Sequence, residues 1–246
     1  MTETDWNSEL IDATVRSDEK RVLTALAKGA DIDTVCDSGF HQSRTPLIIA
    51  GDGCLVDCLN VLIGHGADLE KPDGFGNTAL GFAANGYTSR GVEMLVKAGA
   101  KVDTQNTTGC TPLMRVKSEK AAKCLLEANA DITIKSNSGT TAIEFAARNE
   151  HHDVLRLLLE AVNEQGLQKQ MAPHVEAALA EVNEMKDQDL GFEFEWQKIL
   201  PQLENWLSDY KVIHLREENN KNIRQKQSGL RQYLQRKPNT SRHPRP

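Results

Sequence analysis

The chain has 246 residues, a net charge of −6 and a hydrophobic fraction of 39%, values that are ordinary for a globular protein. Its longest uncharged apolar runs, such as Thr45 to Gly51, are far shorter than the roughly 20 residues that cross a bilayer, so we expect no membrane segment. The acidic start, Met1 to Asp5, lacks the apolar stretch of a secretory signal peptide.

Five cysteines form an odd set without a Cys-x-x-Cys pair. This pattern argues against a disulfide framework and predicts a reducing, cytoplasmic location. Cys54, Cys58 and His65 lie close in sequence, but a zinc site needs more ligands than this segment organises. We therefore expect ordinary buried thiols, no metal site and no cofactor.

One short phrase recurs four times along residues 29–143. A Gly-Ala-Asp-like triplet is followed each time by a Thr-Pro-Leu-like triplet, and the latter triplets are 33, 33 and 30 residues apart. Such a period indicates a stacked array in which each unit buries its apolar face against its neighbours. The predicted repeat domain covers residues 5–165, with units at about 5–30, 31–65, 66–98, 99–128 and 129–162.

The third unit shows how each repeat is built. Gly66 can close the preceding helix, and residues 68–77 are rich in the Gly, Pro and Asp of tight turns. Thr78 is placed to cap the next helix, after which two short apolar helices are predicted. The first unit lacks the turn and is predicted to be a cap with the apolar set Leu10, Ile11, Ala13, Val22, Leu23 and Leu26.

Two units depart from this length. The second turn, Asp33 to Arg44, has four extra residues relative to the third, and lengthened loops in repeat arrays often belong to the binding face. The fourth unit is three residues short between Met114 and Leu125. We therefore predict either a tightened turn between its helices or a truncated first helix.

The alternation of turn, Thr-Pro-Leu-type helix start and helix pair resembles the ankyrin repeat over about residues 5–162. No unit has the His that the family places after Thr-Pro-Leu, where this chain has Ile48, Gly81, Met114 and Glu144. The resemblance implies an all-α solenoid with short finger-like turns. It also implies a protein partner held on a concave face by the finger tips and the exposed side of each first helix.

Carried onto this chain, the resemblance selects seventeen candidate contact residues. Those on the fingers are Phe40, His41, Arg44, Lys71, Phe75, Asn77, Gln105, Thr107, Thr108, Lys135 and Asn137. Those on the first helices are Ile49, Phe82, Asn85, Arg115, Phe145 and Arg148. Aromatic anchors carry much of the energy of interfaces, so replacing both Phe82 and Phe145 with Glu is predicted to abolish capture while preserving the helices.

After Gly166 the repeat phrase ends, and residues 167–220 are predicted to form a helical appendage. Val175, Ala178, Leu179 and Val182 indicate one helix over 174–186, and a second apolar stripe at helical spacing runs from Leu200 to Tyr210. Residues 221–246 contain eight Lys or Arg and no Asp or Glu, which leaves −14 on residues 1–220. This basic tail is predicted to be partly disordered, since residues 238–246 have little apolar surface.

These features favour a non-catalytic scaffold, either an adaptor or an inhibitor, whose acidic body attracts a basic protein as an antitoxin or immunity-like mask would. A second hypothesis is a regulator whose repeats recruit protein while its tail binds nucleic acid nonspecifically. The tail candidates for such contacts are Arg224, Lys226, Arg231, Arg236 and Lys237. An enzyme with a site in the C-terminal helical region is disfavoured, because the chain lacks phosphate-loop, nucleophile-elbow and zinc-protease motifs.

Overall fold

A computed structural model describes residues 5–37, 43–187, 198–213, 221 and 224. Contacts divide the chain into two compact units, Met1–Leu203 and Glu204–Pro246. The regular structure of the described residues is entirely helical. The helices of the repeat region and the segment after it are α1 Trp6–Val15, α2 Glu19–Ala27, α3 Pro46–Asp52, α4 Val56–Gly64, α5 Ala79–Ala84, α6 Arg90–Lys97, α7 Pro112–Arg115, α8 Glu119–Glu127, α9 Ala142–Arg148, α10 His152–Glu164 and α11 Gln168–Asp187.

The helices form two layers. The first-helix layer consists of α1, α3, α5, α7, α9 and α11, each packed against the next, and the second-helix layer runs in the same way through α2, α4, α6, α8 and α10. Leucine or isoleucine near the start of α3, α5, α7 and α9, at Leu47, Leu80, Leu113 and Ile143, is buried in the core. These short helices are marginal alone, so burial between repeats stabilises them. The predicted all-helical solenoid is confirmed.

Side-chain caps begin several of the first helices. The hydroxyls of Thr45 and Thr78 accept hydrogen bonds from the backbone N–H groups of Ile48 and Gly81, as predicted. At α9 the cap is different, because the buried carboxylate of Glu144 accepts from both the N–H and the hydroxyl of Thr141. Glu144 stands where the family pattern has His, so this unit satisfies its helix start with another residue type.

The shortage of three residues in the fourth unit falls mainly on its first helix. Helix α7 has only 4 residues and no side-chain hydrogen bond at its cap, and Val116 turns directly into an extended conformation. The predicted truncation is confirmed. In the first unit, by contrast, Leu23 is 38% exposed, so its assignment to the apolar core was wrong.

Helix α11 extends the stack beyond the last repeat. It begins at Gln168, six residues before the predicted start, and it packs on α9 and α10 with Val175, Ala178 and Val182 buried. Two polar contacts also join it to α9. Arg148 makes a two-pronged ion pair with Glu181, at 2.6 and 3.0 Å, and His174 Nδ1 lies 3.3 Å from Glu144 Oε1.

After residue 187 the structure describes residues 198–213, 221 and 224. In the second unit, residues 204–213 are helical, and the rings of Trp206 and Tyr210 stack with centroids 5.7 Å apart. Across the described ranges, no helix has the length and apolar character needed to cross a membrane, and no cluster of His, Cys, Asp or Glu could hold a metal ion.

Candidate functional site

The three fingers that follow α4, α6 and α8 share one hydrogen-bonded turn of five residues. In the third unit the N–H of Asp73 donates to the carbonyl of Asn77 at 2.9 Å, and its carboxylate accepts from the N–H groups of Phe75 and Asn77. Asn106 and Ser136 begin the corresponding turns of the next two units. Short polar side chains at these positions rigidify each finger by satisfying its own backbone.

Neighbouring fingers are joined tip to tip. The N–H of Thr107 donates to the carbonyl of Phe75, and the N–H of Asn137 donates to the carbonyl of Thr108, both at 3.0 Å. Side chains reinforce this ladder, because Gln105 Nε2 bonds the carbonyls of Gly109 and Lys135, and the Asn137 amide bonds the carbonyl of Thr107. The exposed polar residues predicted as partner contacts therefore hold the fingers in register.

Three predicted contact residues lie below the surface. Ile49 is 2% exposed, Phe82 6% and Asn77 9%. Phe82 and Asn77 are covered by residues of neighbouring repeats. The prediction of all three as partner contacts is corrected accordingly. The double substitution of Phe82 and Phe145 by Glu would disturb the core at Phe82, so it cannot separate binding from folding.

Phe82 is covered from both neighbouring repeats. The guanidinium of Arg44 lies 4.2 Å from the ring centroid and that of Arg115 lies 5.7 Å from it. Arg44 is itself held by Asp52 at 2.8 Å. Arg44 and Arg115, both predicted as partner contacts, therefore make cation–π contacts with Phe82 inside the protein.

Within the described residues, two aromatic side chains are strongly exposed. Phe75, at the tip of the third finger, is 72% exposed and was predicted as a contact. Tyr87, in the turn between α5 and α6, is 78% exposed and was not predicted, because the family resemblance points only to fingers and first helices. Of the predicted lysines, Lys71 is half-buried and Lys135 is exposed. Exposed aromatic groups of this size are candidates for burial by a partner.

A groove of about 540 Å³ runs beside the short helix α7. It brings predicted residues from three different units together with several that were not predicted. Its lining consists of Asn85, Tyr87, Asn106, Thr108, Cys110, Met114, Arg115, Lys117, Phe145, Asn149 and His151. Fingers and first helices thus share one concave site, of a size suited to a few side chains.

Arg115 reaches the floor of the fingers from this groove. Its Nη1 donates to Asn77 Oδ1, which also accepts from the amide of Asn106, while the Asn77 amide lies 3.3 Å from the Asp73 carboxylate. Arg115 is therefore linked to Asp73 through Asn77. This relay orients the guanidinium and partly balances its charge inside the protein.

His151 lines the groove just before α10. Burial lowers the pKa of His151 below its usual value, and the positive charge of Lys117 and the neighbouring His152 act in the same direction. A hydrogen bond to the backbone of Val116 acts weakly in the opposite sense. His151 is thereby kept neutral near pH 7, where it supports the extended segment that follows α7.

The lowered pKa of His151 predicts acid-sensitive stability. Because the unfolded chain binds the proton more readily, the contribution of neutral His151 is present above about pH 6.5 and is lost as the pH falls through the folded-state pKa. We expect the melting temperature of His151→Asn to decline less steeply than that of the wild type between pH 7 and pH 5. Lys117→Gln should also flatten the decline, and thermal melts with unchanged slopes in both variants would contradict this assignment.

Several of the remaining candidates lie outside the described residues, namely Phe40 and His41 and, in the tail, Lys226, Arg231, Arg236 and Lys237. Arg224 is helical and exposed. Arg148 is exposed, but its ion pair with Glu181, which raises the pKa of Arg148, engages it with α11. Its guanidinium also lies 5.8 Å from the ring of Phe145.

Comparison with known proteins matches the repeat region. The family model described as ankyrin repeats, three copies, matches residues 10–106 and again residues 82–169. A putative ankyrin repeat protein, FPV031 of fowlpox virus, is 29% identical over 64% of this chain and 48% of its own length. Ankyrin repeat protein nuc-2 of Neurospora crassa is 30% identical over 69% of this chain and 16% of its own length. The chain thus spans about half of the first relative and much less of the second.

Proposed function

We propose, since this chain belongs to the ankyrin-repeat family, that it is a non-catalytic adaptor or inhibitor that binds a protein partner on its finger and first-helix side. Members of this family typically mediate protein–protein interaction. The proposal depends on one observation: hydrogen bonds hold neighbouring fingers in a fixed arrangement, and the rings of Phe75 and Tyr87 are exposed. Fingers ordered before binding reduce the entropy lost on association.

The five cysteines, present as thiols in the structure, support a reducing, cytoplasmic location for this activity. The charge of −14 on residues 1–220 supports a basic partner through long-range attraction, including antitoxin-like or immunity-like masking. The groove beside α7 is lined by Arg115 and Lys117 and by no carboxylate, so its local charge is positive. We therefore propose that the negative net charge speeds the encounter with a basic partner but does not hold that partner in the complex. A salt series during capture tests this division.

Affinity capture with matched variants tests the binding face. Phe75→Ala combined with Tyr87→Ala should reduce recovery of the captured protein at least about tenfold, because exposed aromatic anchors dominate interface energies. The control combines Lys123→Ala with Glu127→Ala, two exposed residues of α8 in the second-helix layer. Quantitative mass spectrometry should show capture by the wild type and the control alike. Equal recovery by all three proteins would overturn the proposed face.

A further inference from the structure

We infer that the groove beside α7 receives an acidic segment of the partner protein, an inference that rests on the binding role proposed above. Helix α7 has 4 residues, whereas its neighbours α5 and α9 have 6 and 7. Asn85 and Asn149, which end those two neighbours, line the groove, and Lys117 follows the end of α7 between them. Because α7 is shorter than its neighbours, a cleft lies between the C-terminal ends of α5 and α9.

The charge of this groove is opposite to that of the body around it. Its lining includes the cations Arg115 and Lys117, beside the neutral His151, but no carboxylate, although residues 1–220 carry −14. By comparison, the groove between α8 and α10 in the second-helix layer is lined by four glutamates, Glu119, Glu127, Glu160 and Glu164, and by two cations, Lys123 and Arg156, which lie within ion-pair distance of three of them. A cationic groove on an acidic body favours an acidic segment at that groove, because the net charge of the body repels such a segment.

Lys117 is the cation best placed to meet a carboxylate. Its Nζ lies 5.1 Å from the centroid of the exposed Tyr87 ring, and it forms no ion pair within the part of the chain that the structure describes. The guanidinium of Arg115, by contrast, is already engaged with Asn77. One available ammonium group suits an isolated Asp or Glu better than a run of phosphates, which nucleic-acid binding proteins meet with several cations.

The other lining groups suit a peptide. The side-chain amide of Asn85 makes no hydrogen bond among the described residues, and that of Asn149 uses only its NH₂ group, on the carbonyl of Phe145. Amides can both donate to and accept from a peptide backbone. The rings of Tyr87 and Phe145 offer apolar surface at the same site. The expected ligand is therefore a short acidic segment that also carries an apolar or aromatic side chain.

A peptide selection with the 246-residue chain tests this inference. Wild-type protein is used to select from a random dodecapeptide library, with depletion on a Lys117→Glu variant. Selected peptides should be enriched in Asp or Glu next to an aromatic or aliphatic residue. A consensus that is neutral or basic would overturn the inference.

Direct titration of the leading synthetic peptide gives the quantitative test. Lys117→Glu should weaken binding at least about tenfold, whereas Lys123→Glu, the same charge change on exposed α8, should alter it by less than about twofold. Circular dichroism checks that both variants fold, and Lys117→Gln provides a milder second variant. Equal affinities, or tighter Lys117-dependent binding of an oligothymidylate than of the peptide, would refute an acidic peptide as ligand.

The two proposals fail in different ways. If the captured protein is lost with the Phe75 and Tyr87 substitutions but retained by Lys117→Glu, the binding face stands and the acidic segment does not. If capture survives both sets, the binding face itself is wrong.

Discussion

Replacing Phe82 with alanine is expected to lower the free energy of unfolding by about 3 kcal/mol. The ring is 6% exposed and lies beneath Arg44 of the preceding unit and Arg115 of the next, so its loss leaves a cavity. It also leaves the guanidinium of Arg44, now 4.2 Å from the ring centroid, without its aromatic support. Urea unfolding followed by circular dichroism measures the change as a shift of the midpoint.

Phe75→Ala is the matched control for this substitution. It removes the same ring from a position that is 72% exposed, so the expected change in unfolding free energy is within about 0.5 kcal/mol. Comparing the two variants therefore distinguishes a phenylalanine that stabilises the core from one that lies on the surface. Similar midpoints for the two variants would mean that Phe82 is not part of the core.

Gly109→Ala is expected to destabilise the protein by at least about 2 kcal/mol, because two costs combine. Gly109 has a φ of +77°, a conformation unfavourable for alanine, and a Cβ there would lie 2.6 Å from the backbone nitrogen of Asn137. That nitrogen donates the hydrogen bond that joins the fourth and fifth fingers. The clash should therefore separate these two fingers.

Gly139→Ala carries the first cost, backbone strain, without the second, the clash. Gly139 has the equivalent place in the last finger and a φ of +81°, but a Cβ there would meet no atom within 4 Å. Its expected cost is about 1 kcal/mol from backbone strain alone. Hydrogen exchange at the Asn137 amide should accelerate in Gly109→Ala and stay unchanged in Gly139→Ala. Matching stabilities and exchange rates would show that the ladder contributes little.

Much of the fold could be predicted because its determinants are local and repeated. The threonine caps, the helix-closing glycines and the apolar spacing of each helix lie within one unit, so agreement among four copies fixed the register. The shortage of residues after Met114 also predicted either a tightened turn or a truncated first helix, and α7 has the truncation. Leu23 was misjudged because apolar character alone does not reveal which side of a cap helix meets the next unit.

The site was less predictable because burial there depends on residues about one repeat apart. Phe82 is hidden by Arg44, which comes from the preceding finger, and no pattern within the third unit indicates that contact. Arg148 is taken by Glu181 of α11, a helix outside the repeat pattern. The sequence signal for Lys117 is the shortage of three residues in the fourth unit, because Lys117 directly follows the shortened α7. Tyr87, in the turn between α5 and α6, lies next to Lys117 only in the folded chain.

The tip-to-tip hydrogen bonds also have a mechanical consequence. A force applied to the backbone at Phe75 is transmitted in part to Thr107, and from the adjacent Thr108 to Asn137, so three successive turns share the load. A bound molecule pulled away from the first of these tips therefore also strains the two turns beside it. The row should therefore resist sideways tearing better than an isolated loop of the same length.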